Sequence, residues 1–449
     1  MEKKWEDMTA EEKREARFEI WTSPKDPEGN DLQFQSPEAE ANYKATVQRF
    51  KEIMQLKKPD RVPIVTLCTF MAADLYGVTP GEFMNNPEKL ASISKQYLED
   101  YRPDFYMSPA LVGTSKVFEI LDYKMYRWPG HGVSEDSVYQ CIEDEYMRAE
   151  DYQALIDDPS DFWLRTYLPR VFGALEPFKN IPPFTELWEM PVICGNMIPL
   201  GIPDVQNALK ALLDAGREAF EWAHYIMGFE TEAKSMGFVS AAGGISKAPF
   251  DILADTLRGT RAVMMDIFRR PDMVLKAIET ITPLAIKQGV GGATFQGNPA
   301  VFIPLHKGAD GFMSDEQFKT FYWPGLKEVI LGLAAEGCVP CLFCEGSYNT
   351  RLEYLKELPK GSCLWIFDRT DMAKAKEMLG DTLCLGGNVP AGLILTGTAQ
   401  QVKDYCKNLI DVVGKDGGYI MGFGTAMDQG KPDTIHAMID FTKEYGVYK

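Results

Sequence analysis

No stretch of this chain is apolar for long enough to cross a membrane. A spanning helix needs about 18 or more largely apolar residues in a row, and charged residues interrupt every long apolar stretch here. The first seven residues are charged and lack the apolar core of a secretion signal. We therefore expect a cytoplasmic protein with no membrane partner.

Positive charge is also scarce. The 449 residues include 47 Lys and Arg against 65 Asp and Glu, a net charge of −18. Nucleic-acid binding depends on clustered cations that neutralise phosphates, so this balance argues against a nucleic-acid partner. It also disfavours highly anionic substrates, although a local basic pocket can override the overall sign.

Histidine is rare, with four residues, whereas cysteine is not. The nine cysteines are an odd number, and most of them lie between residues 338 and 406. In a cytoplasmic chain this pattern favours free thiols, some of them bound to a metal, over a framework of disulfides.

Strand-like and helix-like segments alternate from about residue 61 onward, which indicates a parallel sheet covered by helices. The candidate strands are 61–67, 103–108, 191–195, 237–244, 300–305, 338–344, 363–367, 382–385 and 419–423. No Gly-x-Gly-x-x-Gly motif follows the first of them, which disfavours a nucleotide-binding sheet. The pattern predicts one closed (β/α)8 TIM barrel, an α/β fold, with one of the nine strands spurious or inserted.

The predicted barrel occupies residues 61–449, with insertions around 109–190. Residues 1–60 are polar and helical in pattern, and they predict an N-terminal extension that caps the barrel. The same extension also fits an oligomer arm, which would make the protein a homodimer.

In a barrel of this kind, functional residues lie at the carboxyl ends of the strands. The sequence places there Cys68, Phe70, Tyr106, Met107, Gly243 to Lys247, His306, Asp310, Cys344, Glu345, Asp368, Asp371, Asn388 and Thr425 to Asp428. The set contains metal-compatible ligands and aromatic or sulfur-bearing residues that suit an apolar ligand. Phe70, Tyr106, Met107 and Asn388 are the predicted substrate-binding residues.

Cys344 ends an apolar strand, and Glu345 follows it directly. Because cysteine is among the most buried residue types, the local pattern leaves a core thiol and a metal ligand equally open. Cys384 begins its strand instead of ending it. Four residues of strand span roughly 13 Å, so geometry favours a core position for Cys384 and places Asn388 nearer the mouth.

Several motifs in the C-terminal third of the chain identify a family. They are Gly311 to Ser314, Tyr322-Trp323-Pro324, Cys344-Glu345-Gly346, Asp371 to Lys376, Gly387 to Pro390 and Gly417 to Ile420. With these motifs the chain resembles the uroporphyrinogen decarboxylase superfamily of (β/α)8 barrels, and within it the cobalamin-dependent methyltransferase branch. The decarboxylase itself carries an arginine-rich motif after its first strand, whereas this chain has Cys68-Thr69-Phe70-Met71, without a cation.

The resemblance also implies a zinc site. Methyltransferases of this branch that alkylate thiols bind zinc with a His-x-Cys pair and a distant cysteine, of which only Cys344 has a counterpart here. More similar are the substrate-side methyltransferases of anaerobic phenyl methyl ether O-demethylases, some of which have 27 residues between an acid and a cysteine and 39 residues between that cysteine and a second one. Glu316, Cys344 and Cys384 fall on that spacing. Asp315, His306 and Glu345 remain alternatives for the missing ligand.

The resemblance thus implies a zinc-dependent O-demethylase component, a methyltransferase that moves a methyl group from an aryl methyl ether to the cob(I)alamin of a separate corrinoid protein. The predicted metal ligands are Cys344, Cys384, Glu316 and His306. Glu345, Asp310 and His306 are the predicted acid–base residues, and no residue of this chain is assigned to hold the partner's cobalamin. Two alternatives stay open: methyl transfer from a corrinoid protein to a thiol or tetrahydrofolate, and a non-catalytic barrel that binds a corrinoid or tetrapyrrole.

Overall fold

Eight strand positions form the wall of a barrel in a computed structural model that describes residues 3–449. Their bounds are β1 Ile64–Thr66, β2 Phe105–Tyr106, β3 Val239–Ser240 with Gly244–Ile245, β4 Ala300–Leu305, β5 Val339–Cys344, β6 Leu364–Phe367, β7 Cys384–Gly387 and β8 Tyr419–Gly422. All neighbouring pairs are parallel. The predicted (β/α)8 barrel is therefore confirmed.

The sheet closes at β3, which is bent by a bulge between its two pieces. Val239–Ser240 pairs with β2 and Gly244–Ile245 pairs with β4. Backbone hydrogen bonds from Ala241 to Tyr106 and from Gly243 to Ala300 continue both pairings through the bend. Both ends of the hydrogen-bonded sheet therefore belong to the same stretch of chain, residues 239–245, and the wall has no open edge.

One of the nine predicted strands is wrong. Residues 191–195 lie inside the helix Met190–Met197, within the long insertion that follows β2. A small side sheet in the same insertion is built from Tyr126–Pro129, Gly132–Val133 and Gln140–Cys141. A short apolar run fits a strand and a helix equally well, so the pattern of residues 191–195 could not distinguish the two.

Helices cover the outside of the wall and fill the insertion. The α-helices are Ala10–Thr22, Pro37–Met54, Met71–Leu75, Pro80–Asn85, Pro87–Tyr101, Ser115–Leu121, Tyr152–Asp157, Pro159–Phe162, Leu168–Val171, Met190–Met197, Pro203–Ser235, Pro249–Asp251, Thr260–Arg269, Pro271–Gln296, Asp315–Gln317, Trp323–Ala335, Leu352–Leu355, Met372–Leu379, Ala391–Thr396, Ala399–Leu409 and Pro432–Tyr445. Wider π-type turns continue several of them: Trp163–Tyr167, Ile252–Arg258, Phe318–Tyr322 and Ile410–Gly414. Among residues 3–449, no helix combines the length and apolarity that a membrane crossing requires.

Side chains alternate along each strand between two cores, because successive Cβ atoms point to opposite faces. One core contains a residue from every strand and so fills the inside of the barrel: Val65, Phe105, Val239, Ala300, Phe343, Ile366, Cys384 and Ile420. The other core lies between the wall and the helices.

The two N-terminal helices close the amino end of the barrel. Trp21 and Phe50 belong to the inner core, their ring centroids lie 5.4 Å apart, and the ring of Phe50 lies 5.5 Å from that of Phe105. Burying each of these aromatic side chains contributes roughly 1.5–3 kcal/mol. The amino end is thus sealed by apolar packing, and polar residues collect at the carboxyl end.

Candidate functional site

His306 is the first residue after β4 and stands at the carboxyl end of the barrel. Its Nδ1 lies 2.6 Å from Oδ2 of Asp255. A carboxylate can only accept, so Nδ1 donates, and the second ring nitrogen, Nε2, is left for another partner. The His306 side chain is 30% exposed, so that nitrogen is accessible from the barrel mouth.

Asp255 is the centre of a cluster of cations. Besides His306, Nζ of Lys247 lies 2.6 Å from its Oδ2 and Nζ of Lys307 lies 3.2 Å from its Oδ1. Lys247 follows β3 and Lys307 follows β4, so two adjacent strands and one helix converge on this carboxylate. We call Asp251, Asp255, Lys247, His306 and Lys307 the His306 cluster.

Contacts within the cluster shift the pKa values of Asp255 and His306. Burial alone would raise the pKa of Asp255, but the hydrogen bond from His306 and the charge of Lys247 outweigh it and hold that pKa well below its usual range. Burial would lower the pKa of His306, yet the hydrogen bond to Asp255 and its charge raise it. These contacts favour the imidazolium form of His306, in which Nε2 carries a proton.

Asp251 holds the loop that carries His306. It is fully buried, and its carboxyl group accepts hydrogen bonds from the backbone N–H groups of His306, at 3.0 Å, and Lys307, at 2.9 Å. The hydroxyl of Tyr322 donates to the same carboxyl at 2.8 Å. Burial, with the charge of Asp255, raises the pKa of Asp251. These contacts fix the imidazole before any ligand binds.

Of the predicted acid–base residues, the structure brings two together. Oε1 of Glu345 lies 3.8 Å from Nε2 of His306, a distance too long for a hydrogen bond. Asp310 does not join them. Its carboxyl group accepts from the hydroxyls of Ser347, at 2.7 Å, and Thr350, at 2.6 Å. Asp310 thus braces the loop after β5, which corrects its predicted acid–base role.

The predicted zinc ligands do not meet. Cys344 belongs to the core between wall and helices, whereas Cys384 belongs to the core inside the barrel. The strand register aligns Cys344 with Phe367 and Gly387, and Cys384 with Leu364 and Cys341. The two thiols therefore lie on opposite faces of the wall and roughly 10 Å apart in depth, at 3.3 Å per residue.

The remaining predicted ligands do not complete a zinc site either. Glu316 is exposed in the first turn of a helix that Ser314 caps, and His306 is bonded to Asp255. Within residues 3–449, no group of three or more His, Cys, Asp and Glu side chains has a geometry that would hold a metal ion. The set Cys344, Cys384, Glu316 and His306 does not fit zinc, and the chemistry below contains no zinc step.

The four predicted substrate-binding residues are also separated. Phe70 is buried against the rings of Phe83 and Tyr139. Tyr106 points outward and donates to Glu230. The side-chain amide of Asn388 donates to the backbone oxygens of residues 368 and 370, so it ties two loops together. Met107 borders a cavity that lies beside β3.

Sequence reasoning missed Asp251 and Asp255 because they do not end a strand. Both lie in the helical segment that follows β3, four residues apart. Residues four apart share a helix face. Two acids at that spacing, shortly after β3 and Lys247, were therefore the signal in the sequence that could have identified Asp251 and Asp255. Lys247 was placed at its strand end correctly.

Comparison with known proteins agrees with this architecture. Residues 231–445 match the family model described as uroporphyrinogen decarboxylase (URO-D). A uroporphyrinogen decarboxylase of Chlorobium phaeovibrioides is 24% identical over 255 residues, 55% of this chain and 68% of the relative. Its counterpart in Chlorobaculum parvum is 23% identical over 254 residues, 54% of this chain and 67% of the relative.

A solved methyltransferase from Methanosarcina mazei has the same fold. The two structures superpose with a TM-score of 0.58 at 15% identity, over 89% of this chain and 98% of that one. The molecule is thus a (β/α)8 barrel with its polar residues at the carboxyl ends of the strands. The resemblance to the uroporphyrinogen decarboxylase superfamily is confirmed.

Proposed function

We propose that this protein is a methyltransferase that takes a methyl group from an aryl methyl ether and passes it to the cob(I)alamin of a separate corrinoid protein. The observation that carries the proposal is the position of His306, whose side chain is partly exposed at the barrel mouth and whose Nδ1 lies 2.6 Å from Oδ2 of Asp255. The motifs of the methyltransferase branch and the fold likeness to a methyltransferase support the reaction class.

His306 acts as the general acid of this reaction. An aryl methyl ether is inert because its leaving group is a phenolate. When the methyl carbon is displaced, the carbon–oxygen bond breaks and its electron pair moves to the aryl oxygen. His306 Nε2 then donates its proton to that oxygen, and a phenol leaves. Asp255 stabilises the imidazolium beforehand and keeps the ring in one orientation.

The lysines of the cluster maintain this arrangement. Because Lys247 and Lys307 both contact Asp255, the carboxylate stays ionised after His306 has lost its proton. Glu345, 3.8 Å from Nε2, is placed to return a proton from solvent to His306. The chain therefore supplies the proton that the leaving group needs, and the partner's cob(I)alamin is a substrate.

A substrate with many carboxylates fits this mouth poorly. After β1, the hydroxyl of Thr69 and the N–H of Phe70 donate to the Asp428 carboxylate, so an acid stands where such a substrate needs a cation. Lys247 is paired with Asp255, and Lys307 is paired with both Asp255 and Glu143. Decarboxylation of a porphyrinogen, the activity that the relatives' name gives, is for this reason not the activity we propose.

Methyl transfer from methoxylated benzenes to excess free cob(I)alamin, followed by the absorbance of methylcobalamin, tests the proposal. Wild-type protein should transfer the methyl group and release the phenol in equal amounts. General acid catalysis contributes about 10²–10⁴-fold, so His306→Gln should lower kcat by at least about a hundredfold. His224→Gln, an exposed histidine on the long helix, is the matched control. Full activity in His306→Gln, or no transfer from any aryl ether, would exclude the assignment.

A further inference from the structure

The cavity that Met107 borders opens on the flank of the barrel, away from the His306 cluster. It has a volume of about 630 Å³ and lies beside the β3 bulge, between the helices Pro203–Ser235 and Pro271–Gln296. None of the five residues of the His306 cluster lines it. Ligand sites typically occupy about 300–1,000 Å³, so the flank cavity is large enough for a small organic molecule.

The wall of the flank cavity is mostly apolar. Trp21 and Tyr43 contribute from the N-terminal helices, Met107 from the end of β2 and Ile226 from the long helix. Ile245, on the second piece of β3, is 43% exposed although it belongs to the barrel wall. A concave site lined by apolar and aromatic side chains favours a ligand with an apolar or aromatic body.

Glu230 places a carboxyl group in this wall. Its residue exposure is 8%, and Oε2 accepts a hydrogen bond from the hydroxyl of Tyr106 at 2.6 Å. Oε1 is buried and has no hydrogen-bond partner among residues 3–449. A buried polar atom without a partner is destabilising, so this oxygen is a position where a ligand donor would be favourable.

The groups around Glu230 indicate which charge a ligand's hydrogen-bond donor should carry. Over the described part of the chain, no lysine, arginine or histidine forms an ion pair with Glu230. The negative charge of Glu230 adds to burial in raising the pKa values of Tyr43 and Tyr106, so both phenols stay neutral. A buried carboxyl with neutral neighbours is stabilised most by a cation.

We propose that the flank cavity binds a small amine, with an apolar or aromatic body against Trp21, Met107 and Ile226 and an ammonium group that donates to Oε1 of Glu230. Lys234 also borders the cavity, one turn further along the helix, and would oppose the ammonium if it approached Glu230. This site is separate from the proposed methyl transfer and does not depend on it.

Three probes that share one body test the charge preference on the wild-type protein. They are phenethylamine, 2-phenylethanol and phenylacetate, titrated by calorimetry and by the fluorescence of Trp21 and its neighbours. We expect phenethylamine to bind at least about tenfold more tightly than the alcohol, because a charge-assisted hydrogen bond is worth more than 1.4 kcal/mol. Equal binding of the three probes, tighter binding of phenylacetate, or no binding of the amine at millimolar concentration would overturn the proposal.

Two variants locate the binding. Glu230→Gln keeps the shape of the side chain and should weaken phenethylamine about tenfold while leaving 2-phenylethanol unchanged. Glu232→Gln, on the same helix but exposed and paired with Lys95, is the matched control. Ala242→Leu keeps Glu230 and fills the cavity, so it should abolish binding of both probes. Unchanged amine affinity in a folded Glu230→Gln, checked by thermal unfolding, would refute the site. The three-probe comparison decides the matter if that variant does not fold.

Discussion

Two carboxyl groups with little exposure, one at the mouth of the barrel and one on its flank, have opposite surroundings. Asp255, at the mouth, contacts His306, Lys247 and Lys307 within 3.2 Å. Glu230, on the flank, has one neutral partner, Tyr106, and an oxygen with no partner in residues 3–449. One carboxylate is fully balanced by its own chain, and the other is not.

The difference separates a reactive site from a binding site. At the mouth the protein itself holds the cations, so the position and charge of His306 are set before substrate arrives. On the flank the missing charge has to come from outside, which makes binding selective for a cation. Chemistry is therefore expected at the mouth, and affinity without chemistry at the flank.

Neutralising Asp255 should give the largest effect. Asp255→Asn removes the charge that holds the His306 proton, so we expect kcat/KM for methyl transfer to fall by about a hundredfold or more. Asp381→Asn, an exposed carboxylate elsewhere, should change nothing. Wild-type kinetics in Asp255→Asn would show that Asp255 does not support the reaction, and the proposed difference in role between Asp255 and Glu230 would then fail.

The same variant changes the pH dependence. Burial lowers the pKa of His306, but the hydrogen bond to Asp255 and its charge raise it above the ordinary value of the unfolded chain. The protonated form therefore contributes stability and activity below that unfolded value. Both are lost as pH rises through the higher folded pKa. In Asp255→Asn the descending limb of kcat/KM should move to lower pH. A limb that stays in place would show that His306 is not the titrating acid.

The flank carboxyl should behave differently under mutation. Glu230→Leu leaves the hydroxyl of Tyr106 buried without an acceptor, and we expect it to lower the free energy of unfolding by about 1–3 kcal/mol. Glu230→Leu combined with Tyr106→Phe removes both partners, so much of that loss should be recovered. Urea denaturation of both variants and of Tyr106→Phe completes the cycle. No recovery in the double variant would mean that Glu230 has contacts beyond Tyr106.

The barrel and part of its mouth could be predicted from the sequence because they follow from local patterns. Strand and helix periods gave the wall, and the ends of β4 and β5 gave His306 and Glu345 at the same site. Asp255 could not be placed, because its position depends on how the helical segment after β3 packs over the mouth. That packing is a property of the tertiary fold.

The face of the wall on which Cys344 lies could not be predicted from the sequence, for a different reason. All six residues of Val339–Cys344 are apolar and buried, because a barrel strand is covered on both sides. The alternation of polar and apolar residues that distinguishes the two faces of a strand is therefore missing. Spacing along the chain placed Cys344 with Cys384 and Glu316, whereas the register of the sheet separates them.

Cys344→Ala should give the smallest effect. As a thiol in the core between wall and helices, its loss should cost about 1 kcal/mol of stability through the small cavity it leaves. Zinc content, measured by emission spectrometry, should be the same in this variant and in wild type, because Cys344 and Cys384 lie on opposite faces of the wall. Cys194→Ala, at an exposed cysteine, provides the control for both measurements. Zinc that is present in wild type and absent from Cys344→Ala would show that the wall rearranges around a metal, and the mouth would then need a Lewis acid in addition to His306.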